Sequence, residues 1–222
     1  MSHIELKNVS KRFKNKLIYS DLNFSVEEGE CVGIVGSNGS GKSILFKLIS
    51  GLEDADQGTV IVSGKEVGHD HDFPKNIGLF VNEPAYIEYY DGFTNLKMLA
   101  QIQNKISDVQ IREAMQAIGL DPDDKTMVKN YSSGMKQKLG IVQAVMENQQ
   151  IILLDEPFNA LDYETNLVVA KLIRSEKDKK RTIILTSHQH QYLQQFCDRI
   201  LMIQNNSLVP FDEERQEAYF KI

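Results

Sequence analysis

Residues 36–43 read GSNGSGKS and match the spacing GxxxxGK[ST] between an apolar strand and a helix. Gly36, Gly39 and Gly41 let the backbone bend so that its N–H groups converge on phosphate oxygens at a helix N-terminus. Ser37, Asn38 and Ser40 fill the positions between them. Lys42 supplies a cation for the β- and γ-phosphates, and the Ser43 hydroxyl is placed to ligate the magnesium ion that bridges them. The ligand implied by this loop is a magnesium nucleoside triphosphate.

Residues 151–156, IILLDE, set Asp155 and Glu156 at the end of a buried strand, where ligands bind in α/β sheets. Asp155 is expected to hold the magnesium shell. Glu156 would take a proton from, or orient, the water that attacks the γ-phosphate; the other reading is an acidic turn before Pro157. His188 follows the strand TIILTS and should project at the same sheet edge. There it can reach a γ-phosphate oxygen or the attacking water, although a strand-end histidine also serves as a structural hydrogen-bonding group.

The elements that must position these groups can be read from periodicity. Residues 4–9, 22–26 and 30–35 read as strands, a helix begins at Lys42 and ends near Gly51, and residues 58–62 with the Gly64 turn read as a strand and hairpin. Apolar residues at helical spacing fill 95–102, 109–118 and 134–146. Strands at 151–154, 182–186 and 199–203 then alternate with helices at about 164–176 and 189–196, the pattern of parallel βαβ units.

Composition bounds the rest. The 222 residues, 41% hydrophobic and 25% charged, suit a folded globular chain, and no apolar run approaches the length of a membrane span. No secretion signal is read at the N-terminus. A net charge of -6 argues against a nucleic-acid partner. Cys31 and Cys197 lack paired spacing and are expected as buried thiols. The basic run 177–181, KDKKR, is expected as a solvated loop.

In this order the motifs resemble the ATP-binding cassette (ABC) family over nearly the whole chain. Phe13 matches the aromatic that stacks on adenine, GSNGSGKS the Walker A loop, IILLDEP the Walker B strand, NALD at 159–162 the D-loop and His188 the switch histidine. YSSGMKQKLG at 131–140 is similar to the family signature. Ser132, Ser133 and Gly134 open a helix there, either as an ordinary N-cap or as an anion site. In the family this site clamps the γ-phosphate held by a second subunit.

The resemblance implies an α/β fold: a P-loop NTPase (RecA-like) core with an N-terminal antiparallel β subdomain and an inserted α-helical subdomain. The expected division is one ABC ATPase domain over 1–222, with 1–84 and 149–222 as the core and β subdomain and 85–148 as the helical subdomain. It also implies ATP hydrolysis with Mg2+, a second copy of the chain or a paralogous ATPase subunit, and a separate transmembrane permease. The expected location is cytoplasmic, peripheral on the inner face of the cell membrane. Soluble ABC ATPases, such as those of cluster assembly, and a weakly hydrolysing regulator are the competing expectations.

Four residues depart from the family pattern. Ile44 replaces a hydroxyl residue that touches the α-phosphate, and Asn82 stands at the Q-loop glutamine, a metal-contacting position, with the same amide on a shorter arm. Ser133 and Met135 alter the signature. The GMKQKLG variant, with a chain that ends soon after Asn205, resembles ABC-2 type exporter ATPases of antibiotic and peptide resistance. The histidines and aspartates of 68–73 (GHDHDF) read as a solvated loop or a metal site, and Tyr86, Tyr89 and Tyr90 as core packing or an interface.

Overall fold

Alternation of buried and exposed residues, with Ile4, Leu6, Val9, Leu22, Phe24 and Val26 inside, folds the start of the chain into a hairpin of β1 (Ser2–Phe13) and β2 (Lys16–Glu27). The structure is a computed structural model and describes residues 2–81, 86–159 and 161–220. The fully buried β3 (Cys31–Val35) leads into α1 (Lys42–Ser50), which stops where Gly51 adopts a left-handed conformation at φ 76°. β4 (Gln57–Val62) and β5 (Lys65–Glu66) complete a four-stranded antiparallel sheet of order β2-β1-β4-β5.

β6 (Ile77–Phe80) precedes the helical insert of α2 (Gly92–Gln103), α3 (Asp108–Ala117) and α4 (Ser133–Val145). Each of these helices is started by a side chain: Asp91 accepts the Thr94 N–H, Ser107 forms a capping box with Gln110, and Ser132 accepts the Met135 N–H. The chain continues as β7 (Ile151–Leu154), α5 (Tyr163–Asp178), β8 (Thr182–Thr186), α6 (His190–Phe196), β9 (Arg199–Gln204), β10 (Ser207–Pro210) and α7 (Glu213–Phe220). The second sheet has order β10-β9-β3-β8-β7-β6 and is parallel except for β10.

Strand β7 shows why its four residues are all apolar. Ile151 and Leu153 enter the core shared with the first sheet and α1, whereas Ile152 and Leu154 enter the core shared with α4, α5 and α6. α4 approaches β6 so closely that a Cβ on Gly78 would lie 1.7 Å from the Ala144 carbonyl oxygen. The two sheets are tied where the Asn206 amide donates to the Leu17 carbonyl at 2.7 Å.

Among the described residues the expected elements are present, and β6, β10, α7 and a 3-10 turn at Val128–Asn130 accompany them. β6 is short and carries a glycine, β10 is a half-buried edge strand ending in Pro210, and α7 is polar on nearly every side, so none has a strong periodic signal. The basic run 177–181 is solvated in its middle, at Asp178, Lys179 and Lys180, but not at its two ends. Lys177 closes α5 and donates to the Phe196 carbonyl at 2.6 Å and to Asp198 at 2.7 Å, while Arg181 is buried and donates to the Asn148 side chain. A basic group at the buried mouth of β8 is tolerated because it is paired. Cys31 and Cys197 are free thiols with sulfurs 3.9 Å apart. Among the described residues no helix is long and apolar enough to cross a membrane.

Candidate active site

The parallel strands β3, β7 and β8 deliver three loops to one edge of the second sheet, and the sequence-predicted residues meet there. They line a cleft of about 1040 Å³ that runs from the phosphate loop to the helical insert, with Asn38, Lys42, Ser43, Asp155, Glu156 and His188 on one side and Ser133 and Gln137 on the other. A volume of this size accommodates a nucleotide.

The phosphate loop takes the shape its glycines allow. Gly39 and Gly41 have φ of 73° and 120°, and a side chain at Gly41 would collide with Ile18 at 2.7 Å. Strand β2 braces the loop from outside: the buried Tyr19 hydroxyl donates to the Gly41 carbonyl at 3.0 Å and Lys16 donates to the Gly39 carbonyl at 2.8 Å. No side chain caps α1, which leaves its first N–H groups for an anion. Lys42 curls back over the loop, donating to the Gly36 carbonyl at 2.7 Å, with its ammonium 3.8 Å from Glu156 Oε1.

Asp155 and Glu156 have distinct surroundings. Asp155 accepts hydrogen bonds from the Ser43 hydroxyl through Oδ2 and from the Thr186 hydroxyl through Oδ1, the latter at 2.7 Å. Glu156 is a non-glycine residue in the left-handed region, at φ 52°. Its backbone is held on both sides of the Cα. The N–H donates to Thr186 Oγ1 at 2.8 Å, and the carbonyl accepts from Gln137 Nε2 at 2.9 Å and from the Asn159 N–H at 3.0 Å. The side chain turns toward His188, whose backbone N–H donates to Oε2 at 3.0 Å and whose Nε2 lies 3.2 Å from Oε1. The His188 ring also reaches Asn38 Oδ1 at 3.1 Å.

Other expected residues lie farther out. Phe13 ends β1, partly exposed, with the Lys11 ammonium 5.0 Å from its ring centroid; Glu53 holds that ammonium at 2.8 Å. Ile44 lines the cleft and offers no hydroxyl. Ser132 is the N-cap of α4, accepting the Met135 N–H at 3.2 Å, while Ser133 and Gly134 form its first turn. Asn82 lies outside the described residues, as does the expected boundary between 84 and 85. His69 and Asp70 pair with each other in an exposed loop, and no group of three metal-ligating side chains occurs among the described residues. Tyr86 is part-buried and donates to the Lys136 carbonyl at 2.8 Å, whereas Tyr89 and Tyr90 are exposed.

Sequence reasoning missed Thr186 and Gln137. The one available signal for Thr186 was a hydroxyl closing an otherwise apolar, fully buried strand.

A phosphate loop shows only that a site can take phosphate, and comparison with known proteins narrows the identity. The family model described as "ABC transporter" matches residues 19–159, well over half of the chain. The chain belongs to the ABC transporter family. Among curated ABC proteins it is 36% identical over 205 residues to an uncharacterized ABC transporter ATP-binding protein, YybJ, of Bacillus subtilis, covering 92% of this chain and 94% of that one. It is 28% identical to the bacitracin transport ATP-binding protein BcrA of Enterococcus faecalis, covering 93% and 67%. It is 29% identical to the methionine import ATP-binding protein MetN of Clostridium tetani, covering 95% and 69%. A solved dimeric ATP-binding cassette, MJ0796 with ADP and Pi, shares the ABC fold with a TM-score of 0.82 at 22% identity, over 92% of this chain and 96% of that one.

Proposed function

We propose that this chain binds and hydrolyses ATP and thereby powers a membrane transporter whose permease is a separate polypeptide. The observation that carries this reading is the convergence of Lys42, Asp155, Glu156 and His188 on one cleft at the C-terminal edge of a parallel sheet. Lys42 and the free N–H groups of α1 bind the triphosphate. Glu156, close to Lys42 and His188, accepts a proton from the water that attacks the γ-phosphorus as ADP leaves, and His188 orients Glu156 and a γ-phosphate oxygen.

The donor set fits magnesium. A hydroxyl and one carboxylate, Ser43 and Asp155, already touch, and Glu156 Oε1 is a buried oxygen without an aligned hydrogen-bond donor. Such a sparse protein set suits an ion that keeps waters and shares phosphate oxygens. When bound, magnesium supplies charge neutralisation on the transferred phosphoryl group. Asn82, which lies outside the described residues, is proposed from the sequence as a further metal-contacting amide.

Phe13 is the proposed adenine platform. Ser132, Ser133 and Gly134 are proposed to grip the γ-phosphate of a second subunit, with ATP drawing two cassettes together head to tail. A single domain, with the core at 1–84 and 149–222 and the helical part at 85–148, is part of the same reading, as is a place at the inner face of the cell membrane. Export is favoured by the GMKQKLG signature variant alone, since the relatives include one named for methionine import and one named for bacitracin transport. Affinity purification from the native membrane tests the transport role: a stoichiometric integral membrane protein is the expected partner, and soluble partners alone would refute it.

A further inference from the structure

We propose that Thr186 is a positioning residue for hydrolysis, acting through Glu156; this rests on the function proposed above. The side chain is fully buried at the end of β8, and its single hydroxyl is used twice. Its proton goes to Asp155 Oδ1 at 2.7 Å, so its lone pairs remain for the Glu156 N–H at 2.8 Å. Asp155 has no N–H or O–H of its own on the carboxylate, which fixes the direction of the chain of bonds: Glu156 N–H to Thr186 to Asp155.

This arrangement has two consequences. It holds Glu156 in a left-handed backbone conformation, φ 52°, that is uncommon for a non-glycine residue. It also commits one oxygen of Asp155 and leaves Oδ2 facing Ser43. The left-handed turn is what sends the Glu156 side chain back toward the His188 N–H instead of along the strand direction. Without the hydroxyl, the Glu156 N–H and Asp155 Oδ1 lose their shared partner in a buried place, and the peptide bearing the proposed base is free to rotate. Gln137 and Asn159 still hold the carbonyl side, so the loss is one of orientation and not of the whole loop.

The test compares Thr186→Val, which keeps the shape and removes the hydroxyl, with Thr186→Ser, which keeps the hydroxyl. Steady-state ATPase rates are measured together with ATP affinity by equilibrium binding and with thermal melting. Thr186→Val is expected to lower kcat about 10- to 100-fold while ATP affinity stays within about twofold, and Thr186→Ser is expected to recover at least about half of kcat. Thr186→Cys, a weaker hydrogen-bonding group of similar size, covers the case in which the valine protein does not fold, and should fall between the two. Unchanged kcat in a folded Val or Cys protein overturns the proposal, as does a Ser protein no better than Val. A parallel loss of affinity and melting temperature in all three would mean a purely structural role and also overturns it. Absence of Lys42-dependent ATPase activity in the unsubstituted protein would instead refute the function on which the proposal rests.

Discussion

Both oxygens of Glu156 face His188: Oε2 accepts the His188 backbone N–H at 3.0 Å, and Oε1 lies 3.2 Å from Nε2 of the ring. The backbone contact survives loss of the ring, so His188→Ala separates holding the carboxylate from assisting the reaction. We expect kcat to fall about 100-fold with ATP affinity changed by less than about threefold. A kcat within about twofold of the unsubstituted value would remove His188 from the mechanism.

Glu147 follows α4 with Oε1 buried and without a hydrogen-bond partner, and burial pushes its carboxyl above the ordinary value of 4.5. A raised value in the folded state means that folding favours the protonated acid. Its contribution to stability is therefore full below the ordinary value and is lost as pH rises through the raised one. Glu147→Gln imitates the protonated acid, so Tm should rise near pH 7 and be unchanged near pH 4. Melting curves at the two pH values decide this, and a lower Tm near pH 7 would contradict it.

Gly78 is the point where the helical insert meets the core sheet backbone to backbone. An added Cβ would lie 1.7 Å from the Ala144 oxygen and 2.8 Å from its carbonyl carbon, distances that no rotamer change relieves. Gly78→Ala should push α4 off β6 and lower Tm by more than about 4 °C. Because Gln137 sits on the displaced helix and bonds the Glu156 carbonyl, ATPase activity should fall in the surviving folded protein. A Tm within about 1 °C of the parent would show that the close approach is not required.

The candidate loops could be picked out because each joins a strongly apolar strand to polar residues suited to phosphate or metal chemistry. GSNGSGKS after β3, DE after β7 and His188 after β8 needed only their strands to be brought to one edge, and parallel βαβ order does that. What lay hidden were contacts across the chain. Gln137 and Thr186 reach the two peptide groups that flank the Glu156 Cα from positions 19 and 30 residues away, and one sequence carries no trace of that pairing. Arg181 misled for a related reason: a basic run reads as solvated until Asn148 and Glu176 are seen beside it.

The role of Glu156 as the base is the centre of this account, and Glu156→Gln tests it with little change of shape. Its turnover should be at least about 100-fold below that of the parent. Its ATP affinity should be retained, and analytical ultracentrifugation should show an ATP-dependent dimer that persists because the nucleotide is not consumed. Hydrolysis at the parental rate by Glu156→Gln would contradict the account directly.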